Sequence, residues 1–322
     1  MMTSKERVLM AMNHEEPDRV PMDYWAWQVV NDSLMSDLSL KNYDELLDYL
    51  GIDLRTVRAN YTGSQDCWDE LKKAKTVEDL EKCKVPGADD FDYSNISSLC
   101  DRYSHYAIMG GAWSPVFCTA SALIGMQNLM IKMYDDPDFA RLFLEKITDF
   151  FYEQSLRMFE AADGKMDIFF MGDDYGTQRG LIMSFEMWDE FYVPCLSKLF
   201  GLAKGFGLKV MLHSCGSVNE LIPRLIELGM DSLDPIQVRA TGMDPESLKS
   251  EFGEYVTFHG SLDTQHILPY GTVEDVRLEA LRLIEIFGNG GGFILGPSQE
   301  FLPDISLENI KAMYDVGKNF RY

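Results

Sequence analysis

From one end of the sequence to the other, short apolar runs of strand character alternate with stretches of helical periodicity, and no low-complexity linker interrupts them. A helix between two strands returns the chain so that the strands run parallel, and a chain built this way folds as a parallel sheet covered by helices. The pattern opens with a helix expected over Lys5 to Asn13, with Val8, Leu9 and Met12 on one face. Strand-like stretches follow at 19–25, 53–59, 106–109, 166–171, 209–212, 231–233, 255–258 and 292–295. The last five are short apolar runs that give way at once to polar or small residues, as buried parallel strands do. Eight such units predict an α/β fold, a (β/α)8 TIM barrel whose active site lies at the carboxyl ends of the strands. At 322 residues, one barrel domain over 1–322 accounts for the chain.

The longest helical pattern runs from Asp135 to about Glu160. Pro137 suits a first turn, and Phe139, Phe143, Ile147, Phe150 and Phe151 recur at three- and four-residue steps, which reads as a core-facing stripe. Between the second and third strands lies Cys67 to Arg102, polar and acidic, with TVEDLEK and the turn-rich KVPGADDFDYSN. That length exceeds an ordinary connection, so an insertion after strand two is expected, covering one end of the barrel or serving an interface.

Composition narrows the class of partner. A formal charge of −23 repels phosphate backbones and anionic lipid surfaces, so neither nucleic acid nor membrane is an expected partner. No run of 18 apolar residues is present, and the amphipathic, acid-containing start lacks the basic and apolar regions of a secretory signal. The six cysteines, at 67, 83, 100, 118, 195 and 215, are scattered without a disulfide-like framework, as in a reducing compartment. A cytoplasmic enzyme is the expectation, with self-association into a homo-oligomer left open.

The sharpest local signal is His213-Ser-Cys215-Gly216. Residues two apart in extended backbone point to the same side, so imidazole and thiolate can meet one small ion, and zinc takes such ligands. Ordinary packing of a buried cysteine is the competing reading. Asp234 ends the next strand, either as a further ligand or as a cap on the following turn, and Gln299 and Glu300 follow the last strand on the same expected rim. A second cluster, Gly172-Asp173-Asp174-Tyr175-Gly176-Thr177-Gln178-Arg179, can orient a polar substrate or move a proton. His259, with Asp263 and Gln265 nearby, forms a third. No dinucleotide fingerprint follows a strand, and neither a Walker pattern nor a serine-hydrolase elbow is present.

The stretches KERVLMAMNHEEPDRVP, TVEDLEK with VPGADDFDY, GDDYGTQRGLIMS, LHSCGSV, LDPIQ, FHGSLDTQ and GGFILGPSQEFLPDISLENI together resemble the uroporphyrinogen decarboxylase superfamily over almost the whole length. The resemblance implies a (β/α)8 barrel and one of two chemistries, decarboxylation of uroporphyrinogen or zinc-dependent methyl transfer between corrinoid proteins and thiols. The decarboxylases hold their substrate with an arginine-rich segment after the first strand, where this chain has Met22-Asp-Tyr-Trp-Ala-Trp-Gln28. Their essential aspartate falls at Asn60 and their late histidine at Gln299. The methyltransferase and O-demethylase branch resembles the chain more, through His213 and Cys215, although its third ligand, a cysteine, aligns with Gln299.

The expectation is therefore a methyltransferase component working with a corrinoid protein and a small acceptor such as a thiol or tetrahydrofolate. His213, Cys215 and Asp234 are the expected zinc ligands, and Asp174, Tyr175 and His259 the catalytic groups. Asp173, Gln178, Gln237, Asp263, Gln299 and Glu300 are expected to contact substrate. Alternatives are decarboxylation of a smaller acid, with Asp173 or Asp174 assisting proton delivery, and a barrel that only binds its partner.

Overall fold

The computed structural model describes residues 2–63, 68–111, 113 and 115–322. Seven parallel strands, Leu54–Thr56, Ala107–Gly110, Ile168–Gly172, Lys209–His213, Ser232–Asp234, Thr257–Leu262 and Phe293–Pro297, pair in sequence order among the described residues. The stretch expected as the first strand behaves differently. Residues 19–26 bridge the last strand in parallel at Met22 with Leu295 and reach Ala26 with Phe301, while Asp53 donates its N–H to the Met22 carbonyl at 2.9 Å. This segment closes the curled sheet as the eighth stave without forming a continuous ladder. Pro21 has no N–H to give, which limits regular pairing there.

The interior follows the alternation of the strands. Leu54, Ala107, Met109, Ile168, Phe170, Met211 and Ile294 fill the barrel, and Val8 and Met12 of the helix Ser4–Met12 complete that cluster from below. Of the face expected on this helix, Leu9 is only partly covered, whereas Arg7 is buried. The reason is Asp53, fully buried at the start of its strand. Its carboxylate accepts from Ser4 Oγ, Arg7, Arg19 and the Met22 N–H at 2.7–3.0 Å, so the charge is fully matched and ties helix and barrel together. This is the end away from the strand termini, where such ties serve stability.

The helices form the outer layer. Pro137–Ala162 begins where Pro137 predicts, with Asp136 as N-cap accepting from Phe139 N–H. Phe139, Phe143, Ile147 and Phe150 are buried, and Phe151 is partly so. Burial of each such side chain contributes about 1.5–3 kcal/mol.

Cys67, the first residue of the expected insertion, lies outside the described residues. From 68 onward the excursion forms the helices Asp69–Lys73, Val77–Lys82 and Ile96–Arg102, and Phe91–Asp92 pairs antiparallel with Asn60–Tyr61. It packs on the flank of the long helix, where Trp68 and Phe91 meet Phe150 at ring distances of 5.0 and 6.0 Å. Cys83, Cys100, Cys118, Cys195 and Cys215 are free thiols. Among the described residues no helix is long and apolar enough to cross a membrane.

Candidate active site

The turn after the strand Lys209–His213 is shaped by close backbone packing. Gly216 has φ +85°, and a Cβ there would lie 2.6 Å from the Thr177 carbonyl; at Gly176 it would lie 2.6 Å from the Cys215 carbonyl. Two glycines therefore let the loops after neighbouring strands touch, and Ser217 N–H donates to Thr177 O at 2.7 Å across the contact. Gln237 braces the same turn, its Oε1 accepting from Gly216 N–H at 3.2 Å and from Gln178 Nε2 at 2.7 Å. Gln178 and Gln237, expected to touch substrate, are thus engaged with each other.

The same-side expectation for residues 213 and 215 holds. Cys215 Sγ lies 3.4 Å from His213 Nε2. Asp174 Oδ1 is 3.6 Å from the same nitrogen and accepts from Cys215 N–H at 2.8 Å. Ligand atoms of Asp174, His213 and Cys215 all lie within 4.8 Å of one another, a set able to hold a metal ion. Zinc at its usual bond lengths, tetrahedrally disposed, places a ligating nitrogen and sulfur about 3.5 Å apart, so the observed spacing fits. Gln299 Nε2 donates toward the sulfur at 3.3 Å, so the last strand reaches the cluster as well.

Asp234 is the first correction, since its carboxylate is spent elsewhere. Oδ2 lies 2.6 Å from His213 Nδ1 and Oδ1 lies 2.5 Å from His259 Nδ1. It stands behind His213, orienting the ring and leaving Nε2 toward the sulfur, as carboxylates do behind histidines that bind zinc. His259 continues the chain, its Nε2 reaching Asp23 Oδ2 at 3.1 Å, and Trp25 Nε1 donates to that oxygen at 3.2 Å.

The electrostatics follow from this crowding. Burial pushes the imidazoles of His213 and His259 down, but Asp234 outweighs it for both, and with Asp23 it carries His259 to about 10. Asp234 falls well below the usual carboxylate range: burial opposes ionisation, but the two histidines overcome it. Burial, then Asp174 and Asp234, push the Cys215 thiol far above its ordinary value. Without a cation nearby, this cysteine is a thiol and a poor nucleophile.

Asp173 and Tyr175 point away from the cluster of Asp174, His213 and Cys215. Asp173 is fully buried and accepts from the N–H groups of Val116, Phe117 and Cys118 at 2.9–3.0 Å. It caps the helix Phe117–Ile124, and burial raises it to about 6 against those bonds. Tyr175, 1% exposed, donates to Asp173 at 3.2 Å and packs among Phe117, Trp188 and Tyr192 on the far side of the strand end. It is core, displaced from the site because its neighbour Asp174 faces the other way. Asp263 accepts from Gln265 N–H at 2.8 Å, and its buried second oxygen has Arg239 Nε at 3.9 Å. Glu300 accepts from Trp27 Nε1 at 3.1 Å on the rim.

Asp23, Trp25 and Trp113 belong to the site and were not anticipated. Trp25 lies 6.3 Å from the His213 ring and nearly parallel to it, and Trp113 meets the same ring edge-on at 5.0 Å. Alternation at 23 and 25, an acid and an indole before a strand end, was the available signal. Trp25, His213, Asp234, His259, Gln299 and Glu300 contribute to the walls of a hollow of about 10 Å³, on the scale of one water or ion.

The chain belongs to the uroporphyrinogen decarboxylase (URO-D) family, whose sequence pattern matches residues 64–320. Among characterised relatives, a methylated-thiol–coenzyme M methyltransferase of Methanosarcina mazei is 28% identical over 310 residues, covering 89% of this chain and 77% of that protein. A methylcobamide:CoM methyltransferase of Methanosarcina barkeri is 22% identical, covering 97% and 96%. A uroporphyrinogen decarboxylase of Chlorobium limicola is 24% identical, covering 74% and 68%. The solved structure of a methyltransferase from Methanosarcina mazei superposes with a TM-score of 0.72 at 19% identity over 99% of both chains, which establishes the shared barrel fold.

Proposed function

We propose that this protein is a corrinoid-dependent methyltransferase, moving a methyl group between a corrinoid protein docked over the strand ends and a small acceptor, a thiol or tetrahydrofolate. The observation that carries the reading is the 3.4 Å spacing of Cys215 Sγ and His213 Nε2, with Asp174 Oδ1 close to the same nitrogen. Asp174, His213 and Cys215 would hold zinc, which supplies, when bound, the positive charge that keeps a coordinated thiol deprotonated at neutral pH. Asp234 keeps the His213 proton on Nδ1, so the nitrogen facing Cys215 is free to ligate. Asp23 and Trp25 fix His259, which in turn fixes Asp234. The rings of Trp25 and Trp113 flank His213 and limit water beside it.

Decarboxylation of a smaller acid has less support. Asp173 is consumed by three backbone N–H groups, and of the two aspartates proposed to deliver a proton only Asp174 stands at the site. The test is twofold. Protein purified in reducing buffer is expected to carry about one zinc per chain. Mixed with methylcobalamin and a thiol, it is expected to convert the cobalamin spectrum to the demethylated form. Full transfer by zinc-free protein refutes the ligand assignment, and no spectral change with any thiol or with tetrahydrofolate refutes methyl transfer. Anaerobic incubation with uroporphyrinogen is expected to give no product.

A further inference from the structure

The hollow beside His213 has room for little beyond an ion, so an organic reactant must lie next to it. Trp25 and Glu300, two of its walls, also bound a neighbouring cavity of about 290 Å³. This cavity opens at the barrel seam, between the stretch 23–26 and the strand that ends at Thr56, with Tyr43 and Arg58 on its rim. It exists because residues 19–26 follow the last strand at Met22 and Ala26 instead of continuing alongside residues 54–56.

We infer that the seam cavity binds a small, flat organic carboxylate, with Arg58 pairing to the charged end and Trp25 and Tyr43 receiving the body. The inference rests on the methyl-transfer reading only for what the bound acid does. Its binding requires no metal.

The charges lining the cavity single out Arg58. Asp44 is held by Arg102 and by Tyr103 Oη, Asp23 by Trp25 and His259, and Glu300 by Trp27. Arg55 pairs with Asp48, donates to the carbonyls of Ile52 and Leu54, and stacks 3.7 Å over the Tyr106 ring. Its buried Nε–H nevertheless has no acceptor, an unusual debt for a side chain only 3% exposed. Arg58 is exposed and, among the described residues, has neither ion pair nor hydrogen bond. A guanidinium is always charged and its fork matches a carboxylate.

In a chain of net charge −23 the overall field repels anions. An uncommitted arginine at this cavity, beside a second arginine with a spare donor, nevertheless leaves one positive group there free to meet an anion. The volume lies just below the range of small-molecule pockets, about 300–1,000 Å³, which suits one ring with a short substituent.

Benzoate and benzamide share a shape and differ in charge, so calorimetric titration of both against the full chain tests the inference. Benzoate is expected to bind at least about tenfold tighter, the scale of a charged hydrogen bond, and to weaken with added salt. Arg58→Gln is expected to bring benzoate to the benzamide level with an unchanged melting temperature, and Arg58→Lys to recover part of the difference. Cys215→Ser is expected to leave benzoate binding intact, which separates this site from the metal ligands. Equal binding of the two compounds, no binding of benzoate, or an unaffected Arg58→Gln variant overturns the inference. A failure of methyl transfer with benzoate binding preserved counts against the proposed reaction alone.

Discussion

Replacing Asp234 by Asn separates a zinc-orienting carboxylate from a merely buried one. The carboxylate meets two imidazole Nδ1 atoms at once, at 2.6 and 2.5 Å. An amide of the same shape offers one accepting oxygen and one donating NH2, so one histidine must shift its proton from Nδ1 to Nε2. If that histidine is His213, the proton lands on the atom facing Cys215 and blocks ligation. If the amide turns the other way, His213 keeps its orientation but loses the charge behind it. Removing such a partner lowers metal affinity about 10–100-fold, or about 1.4–2.7 kcal/mol. Competition with a chromophoric zinc chelator measures this directly. A urea titration of the metal-free variant reports the separate cost of breaking a buried charge network, about 3–5 kcal/mol. A folded Asp234→Asn protein with wild-type zinc affinity would refute the orienting role.

Three further outcomes follow from the same contacts. Tyr175→Phe removes one hydroxyl bonded to Asp173 and is expected to cost about 1.5–3 kcal/mol in urea while leaving methyl transfer close to wild type; a 100-fold loss of rate would return Tyr175 to the chemistry. Gly216→Ala forces a Cβ into a left-handed position 2.6 Å from a carbonyl, so a loss of at least about 1–2 kcal/mol and weakened zinc retention are expected, measured by melting and metal analysis. His259 is raised from 6.5 to about 10, so its contribution to the stability of metal-free protein is fully present below about pH 6.5 and fades as the pH rises toward 10. Urea midpoints between pH 6 and 10 are expected to fall for wild type and to stay flatter for His259→Gln; parallel profiles would sink the assignment.

The barrel was legible because strand stretches such as 210–212 and 293–295 are apolar and bounded by polar or small residues, a pattern that survives without tertiary information. His213 and Cys215 were legible for the same local reason, since two residues of one strand end share a side by geometry alone. Asp174 was visible as a polar residue at a strand end, but its place beside Cys215 depends on which way the turn after Gly172 rotates. That rotation sends Asp173 and Tyr175 outward to a helix and an aromatic cluster, so adjacent residues with similar chemistry part company. Asp234 lies beside His213 as its place at a strand end suggests, but its second partner His259 lies on the next strand and no spacing announces that pairing. The first stretch, 19–25, reads as an ordinary strand, while its bridging contacts and the cavity they leave arise from closure of the sheet.

The bridges joining Met22 to Leu295 and Ala26 to Phe301 also govern how the chain comes together. They tie segments more than two hundred and seventy positions apart, so a growing polypeptide lacks its final seam until the last stave has been made. Until then the stretch 19–26 offers its bare amides and carbonyls to any neighbour, a hazard that ends when Leu295 and Phe301 arrive to take them.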